Sequence, residues 1–270
     1  MARLGRYARR QRNITIGFTI VISIVVGLFI AVVTYVKLNA EPGLNKVTLC
    51  PADGPQGHFV LLVDKTDPLN FTQKQTFSVT LTDIIQKRTP PGYLLSIFVL
   101  DEDFKANAVP LLELCNPGTG AEKSAMTATL KKLRQQYEQK FVEPMRKQSE
   151  ALLSTTPAKT SPILEMVQLV GINAFRKHDI KGERRLIILS DMLHNTPQFS
   201  MFRSPADYYY AAFSLTAYGK KTQVDLGGVD VELLYLLHTP QLQTRRNLLF
   251  WEDYFKKSGA RVVAVQPLEG

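Results

Sequence analysis

His58-Phe59-Val60-Leu61-Leu62-Val63-Asp64 and Arg184-Arg185-Leu186-Ile187-Ile188-Leu189-Ser190-Asp191 decide the fold. Each is a short apolar run that closes on an aspartate. Neither alternates apolar with polar residues, so each must be covered on both faces. That is the condition of a central strand in a parallel sheet flanked by helices.

Working outward, Tyr93 to Leu100, Val109 to Cys115, Val229 to Leu237 and Arg261 to Val265 read as four further strands. Helical patterns lie between them. Asn70 to Lys87 is one, stopped by Arg88-Thr89-Pro90-Pro91-Gly92. A long charged amphipathic stretch follows over 122–154, around Leu130, Leu133, Tyr137, Phe141 and Met145, and its cations read as a solvated face. Pro162 suits the first turn of a helix running to about Lys177. Residues 205–217 and Thr244 to Ser258 complete the set. Strands alternating with helices predict an α/β domain over 58–270, with a doubly wound, mostly parallel sheet.

Ahead of that domain, Ile14 to Val36 (ITIGFTIVISIVVGLFIAVVTYV) carries no charge. As a helix it is roughly 34 Å long, enough for a hydrocarbon core of about 30 Å. A cleaved signal peptide is the alternative, with Leu38-Asn39-Ala40 as a faint cleavage site; its apolar region would be shorter, about 7–15 residues. The expectation is a basic flank over 1–13, a transmembrane helix over 14–36 and a juxtamembrane linker over 37–57. Five arginines precede the segment, and only Lys37 and Lys46 closely follow it. The positive-inside bias then puts the N-terminus in the cytoplasm and the domain in the periplasm or outside the cell.

The net charge of +9 divides unevenly. Residues 1–37 hold six cations and no acids, leaving 27 Lys and Arg against 24 Asp and Glu in the remainder. Most of the excess is a membrane flank, so nucleic acid is not the expected partner. Cys50 and Cys115 are the two cysteines. An oxidising compartment would let them pair, and two buried thiols are the alternative.

Ligands of doubly wound sheets bind beyond the carboxyl ends of the strands. Asp64-Lys65-Thr66-Asp67, Thr160-Ser161 and Asp191 fall there, and their oxygens suit a hard cation. With these residues in place, the chain resembles the von Willebrand factor A (vWA) family over roughly residues 58–267. VLLVDKTDPL (60–69), TSPILEMVQLV (160–170) and RRLIILSDML (184–193) carry the resemblance.

The resemblance implies a metal-ion-dependent adhesion site, built from an Asp-x-Ser-x-Ser run, a Thr in a second loop and an Asp in a third. Asp64 and Thr66 match the first two positions of the run, Thr160 or Ser161 the second loop, and Asp191 the third. The run's last hydroxyl is replaced by Pro68. Asp67 beside it is either a further ligand or a helix cap. Mg²⁺ or Mn²⁺ is the implied cofactor, and a metal-free vWA-like domain is the alternative.

Other chemistries fit less well. A dehalogenase-type phosphatase needs a second aspartate two residues after the first, where Thr66 stands. Cys115 precedes Asn116-Pro117-Gly118 rather than a helix, which disfavours thiol catalysis. His58, His178, His194 and His238 show no zinc-type spacing, and no GxxxxGK[ST] loop occurs. His194, Phe199 and Tyr208 are candidate partner contacts beside the Asp191 loop, against core packing as the alternative. The expected function is a membrane-anchored, vWA-like protein-interaction module of an envelope assembly, and not an enzyme. An envelope phosphohydrolase using Asp64 and Asp191 is the competing expectation.

Overall fold

The computed structural model describes residues 2–38, 43–120, 130–153, 157–203 and 209–268. They fall into two compact units, Met1–Gly43 and Leu44–Gly270. The first is a single helix, α1 (Ala2–Leu38). Within it Gly17–Tyr35 is long and apolar enough to cross a membrane.

The second unit is built on six strands: β1 (His58–Asp64), β2 (Leu94–Leu100), β3 (Leu112–Cys115), β4 (Arg184–Ser190), β5 (Val229–Leu236) and β6 (Arg261–Leu268). Their spatial order is β3-β2-β1-β4-β5-β6. All neighbours are parallel except β2 and β3. The order reverses at the β1–β4 pair, the position where doubly wound sheets bind their ligands.

The unbroken apolar runs now have a cause. Val60 and Leu62 of β1 face one core layer with Phe98, Val167, Trp251 and Phe255. Phe59, Leu61 and Val63 face the other, with Phe77, Ile85, Phe141 and Met145. Alternate side chains of one strand thus enter different cores, so the interior positions 59–63 are all apolar and polar residues stand only at the two ends.

The helices of this unit are α2 (Phe71–Asp83), α3 (Leu130–Tyr137), α4 (Glu143–Ala151), α5 (Ile163–Val170), α6 (Tyr210–Phe213), α7 (Ala217–Lys221) and α8 (Arg245–Lys257). Wide π turns continue α2 over Ile84–Arg88, join α3 to α4 over Glu138–Val142, and continue α5 over Gly171–Arg176. The helix expected over 122–154 runs from Leu130 to Ala151 with one wide turn inside it, and its first residues lie outside the described ones.

Three further expectations change. The helix expected over 205–217 is instead two short ones, α6 and α7, and residues 204–208 lie outside the described ones. Thr216 makes the break, because its hydroxyl donates to Phe213 O at 2.7 Å and accepts from Gly219 N at 2.9 Å as the α7 cap. β3 starts at Leu112 rather than Val109, after Pro110, which has no N–H for a ladder. β6 runs on to Leu268 rather than stopping at Val265.

Cys50 and Cys115 form a disulfide. Cys115 pairs in register with Leu94, the first residue of β2, and its N–H donates to Thr48 O at 2.8 Å. The segment from Leu44 therefore packs against the amino ends of β1 and β2, so residues 44–57 belong to the folded unit rather than to a free linker. The chain enters this unit at the end of the sheet opposite Asp64 and Asp191.

Candidate functional site at the carboxyl edge of the sheet

Asp64, the last residue of β1, is only 3% exposed. Its Oδ1 accepts from Thr66 N at 2.9 Å and from Thr66 Oγ1 at 2.6 Å. Its Oδ2 accepts from Ser190 Oγ at 2.7 Å and from Ser161 Oγ at 3.4 Å. Burial pushes the Asp64 carboxyl up to about 6, against the pull of these donors. Asp64, Thr66 and Ser161 thus come together as the sequence predicts, with Thr160 half-buried next to Ser161. Ser190 completes the group and was missed by sequence reasoning, because a strand's last hydroxyl looks like any other serine.

Asp191 follows β4 and is also 3% exposed. Its Oδ1 accepts from Leu193 N at 2.8 Å. The turn that presents it passes through Met192, whose φ of 57° is left-handed and costly for a residue other than glycine. Trp251 Nε1 donates to Met192 O at 2.7 Å and Asn247 Nδ2 donates to the same oxygen at 3.1 Å. Ser190 Oγ accepts from Met192 N at 2.9 Å. These bonds over-determine the turn and hold Asp191 in place. Burial, with Asp64 and Asp67 nearby, pushes its carboxyl well above the ordinary carboxylate range.

Thr66 and Ser161 donate their hydroxyl hydrogens to Asp64 while their oxygens keep lone pairs, and Pro68 brings no side-chain oxygen to the run. Asp67 is not the cap of α2: Asn70 takes that role, its side chain accepting from Gln73 N at 2.9 Å while Gln73 Oε1 accepts from Asn70 N at 3.1 Å. Freed from capping, Asp67 lies with Asp191 and His238, their ligand atoms all within 4.8 Å of one another. His238 follows β5. Its strand-end position was legible in VELLYLLH, but a search for paired histidines passes over it.

His194 does not offer a partner surface. It is fully buried, and burial pushes its ring down to about 3, so it stays neutral. Its ring stacks on Phe199 at 5.7 Å between centroids and lies 3.0 Å, through Nε2, from Tyr218 Oη. Phe199 in turn packs 4.6 Å from Phe213 and is half-buried. Tyr208 lies outside the described residues. Among the described aromatics of this unit, Phe71, the first residue of α2, is 81% exposed, Tyr209, just before α6, 56%, and Phe202, in the loop after β4, 46%.

A central parallel sheet in the order β3-β2-β1-β4-β5-β6, with a short antiparallel edge strand and paired aspartates at its switch point, decides the architecture. The domain has a vWA-like fold. No protein-family model and no curated protein sequence matches the chain. Among solved structures, the SpRpn10 VWA domain matches with a TM-score of 0.40 and 8% identity over 79% of this chain and 88% of that one. Proximal thread matrix protein 1 of the mussel byssus, solved with a zinc-occupied MIDAS motif, matches with a TM-score of 0.35 and 10% identity, over 80% of this chain and 42% of that one. A human COPII-coat protein matches with a TM-score of 0.35 and 8% identity, over 80% and 30%. The vWA-like domain thus spans well under half of the last two proteins.

Proposed function

We propose that this chain is a membrane-anchored protein-interaction module of an envelope assembly, such as a secretion, conjugation or surface complex. Helix α1 holds it in the membrane with its N-terminus in the cytoplasm, and the vWA-like domain lies on the far side, in the periplasm or outside the cell. The partner docks on the loops at the carboxyl ends of β1 and β4.

The observation that carries this reading is the exposure of Phe71 and Phe202 on the segments that leave those two strands. Aromatic side chains held in water have nothing to gain from solvent and are enriched where proteins meet. Their face lies at the opposite end of the sheet from the segment, pinned by the disulfide, through which the chain enters the domain.

The phosphohydrolase reading asks Asp64 to attack or to hold a reacting group. Both of its oxygens already accept hydrogen bonds from neighbouring residues, which argues for a structural role. The test compares detergent-solubilised full-length parent with a Phe71→Ala, Phe202→Ala double variant. We expect capture of the partner, identified by mass spectrometry, to fall at least about tenfold, in line with loss of interface hot spots. The parent is expected to turn over nothing on a phosphoester panel. Undiminished capture by the double variant, or phosphoester turnover abolished by Asp191→Asn, would contradict the reading.

A further inference from the structure

Three loops bring Asp67, Asp191 and His238 together, one each from the ends of β1, β4 and β5. Two buried glutamines brace them. Gln73 Oε1 lies 3.0 Å from His238 Nε2 and also accepts the Asn70 backbone N–H. The other end of that amide donates to Leu268 O at 3.5 Å. A backbone donor and a backbone acceptor therefore fix which end of Gln73 is oxygen. An oxygen can only accept, so His238 Nε2 must carry the ring hydrogen, and Nδ1 keeps its lone pair.

Gln243 does the same for the loop spacing. Its Oε1 accepts from His238 N at 2.8 Å and from Thr239 N at 2.7 Å. Its Nε2 donates to Asp191 O at 2.9 Å and to Leu236 O. The amide thus clamps the histidine loop to the aspartate loop. An outer carbonyl that accepts one imidazole N–H and fixes the tautomer is how proteins aim a histidine at a metal.

We infer that Asp67, Asp191 and His238 form a site for a divalent transition-metal cation of the zinc class, which keeps Asp191 of the ligand set that the vWA resemblance implies and adds an imidazole to it. Two carboxylates and one neutral imidazole are a three-ligand set that leaves a further coordination position open to water or to an incoming acid. The imidazole selects against Mg²⁺, which prefers all-oxygen surroundings, and in favour of zinc, cobalt and nickel. Set on the loop face proposed above as the docking face, the site adds a ligand class to it without depending on a partner.

The test is calorimetric titration of Zn²⁺, Co²⁺ and Mg²⁺ into the full chain in detergent after EDTA treatment and removal of the chelator. One Zn²⁺ per chain is expected, bound far more tightly than Mg²⁺, with Co²⁺ giving visible absorption bands typical of nitrogen and oxygen ligation. His238→Gln and Asp67→Asn should each abolish the Co²⁺ bands. Gln73→Leu, which removes the acceptor of His238 Nε2 together with the Asn70 cap contact, should weaken Zn²⁺ by about 10–100-fold. Circular dichroism in EDTA checks that each variant folds, and Asp67, half-buried on a loop, keeps the test open if His238→Gln does not. Absence of stoichiometric Zn²⁺ binding, or equal binding by parent and Asp67→Asn, overturns the inference. Partner capture that persists in EDTA leaves the interaction reading standing by itself; zinc binding without any partner capture leaves the site standing and removes that reading.

Discussion

Ser190, at the end of β4, donates its hydroxyl to Oδ2 of Asp64, at the end of β1, over 2.7 Å and 126 residues of sequence. That bond joins the two central strands at the point where strand order reverses. It also makes Asp64 a structural hub, because three side chains and a backbone N–H depend on one buried carboxyl.

Replacing Asp64 by Ala is therefore expected to act on folding first. Ser190, Ser161 and Thr66 would lose their acceptor inside the protein, at about 1–3 kcal/mol for each group left unsatisfied. Urea unfolding of Asp64→Ala should show a loss of about 3 kcal/mol or more, and Asp64→Asn, which keeps one acceptor oxygen, a smaller one. A stability change under about 0.5 kcal/mol, the size of an ordinary surface substitution, would contradict the hub assignment.

Acid sensitivity follows from His58, at the first position of β1. It is fully buried, and burial, helped by His178, pushes its ring down from 6.5 to about 3. Below pH 6.5 the unfolded chain takes up a proton that the folded chain refuses. Stability is thus present above 6.5 and is lost as pH falls toward 3, at about 1.4 kcal/mol per pH unit for this residue. Asp64 acts in the other direction: its raised carboxyl contributes stability that is full below about 3.8 and lost as pH rises through 6. Comparing parent with His58→Phe between pH 4.5 and 7 isolates the histidine. The variant should show the shallower decline on acidification, and parallel curves would refute the assignment.

The disulfide between Cys50 and Cys115 closes a 65-residue separation. A chain-entropy account gives about 4 kcal/mol for a loop of that size. Reduction, or a double Cys→Ser change, should lower the urea midpoint accordingly. The same bond reports topology. In right-side-out vesicles, a membrane-impermeant reductant followed by an impermeant maleimide should label Cys50, which is partly exposed, whereas Cys115 is buried. Labelling only after permeabilisation would put the domain on the wrong side of the membrane for the proposed function.

Arg88 supplies a further prediction. Its guanidinium forms a forked pair with Glu232 of β5, with Nη1 to Oε1 at 3.0 Å. Glu232 is buried, with Arg185 Nη1 a more distant 3.9 Å away. Arg88→Ala strands most of that charge and should destabilise the domain by about 3–5 kcal/mol. Arg88→Ala combined with Glu232→Leu should recover most of the loss, since burying neither charge avoids the desolvation cost.

The sheet was readable from sequence because β1 and β4 are apolar on both faces, a pattern that only central strands require. Their terminal aspartates were readable for the same reason: a charge ends a run that must be buried. The helix over 205–217 was misread because Thr216, a weak signal in sequence, recruits Phe213 O and Gly219 N at once. His194 drew attention through its nearness to Asp191 along the chain, yet the left-handed turn at Met192 sends the following residues inward. His238 was overlooked because its companions are 47 and 171 residues away, and only Gln73 and Gln243 bring them together.

Photocrosslinking bears most directly on the central claim that the carboxyl-edge loops are the docking face. A photoreactive phenylalanine would replace Phe71, Phe202 or, as a control on the segment at the amino ends of the strands, Val47, which is 82% exposed, in the full chain within its native membrane. The account predicts the same protein adduct from positions 71 and 202 and none from position 47. Adducts from position 47 alone, or silence at both loop positions while the assembly is intact, would contradict it.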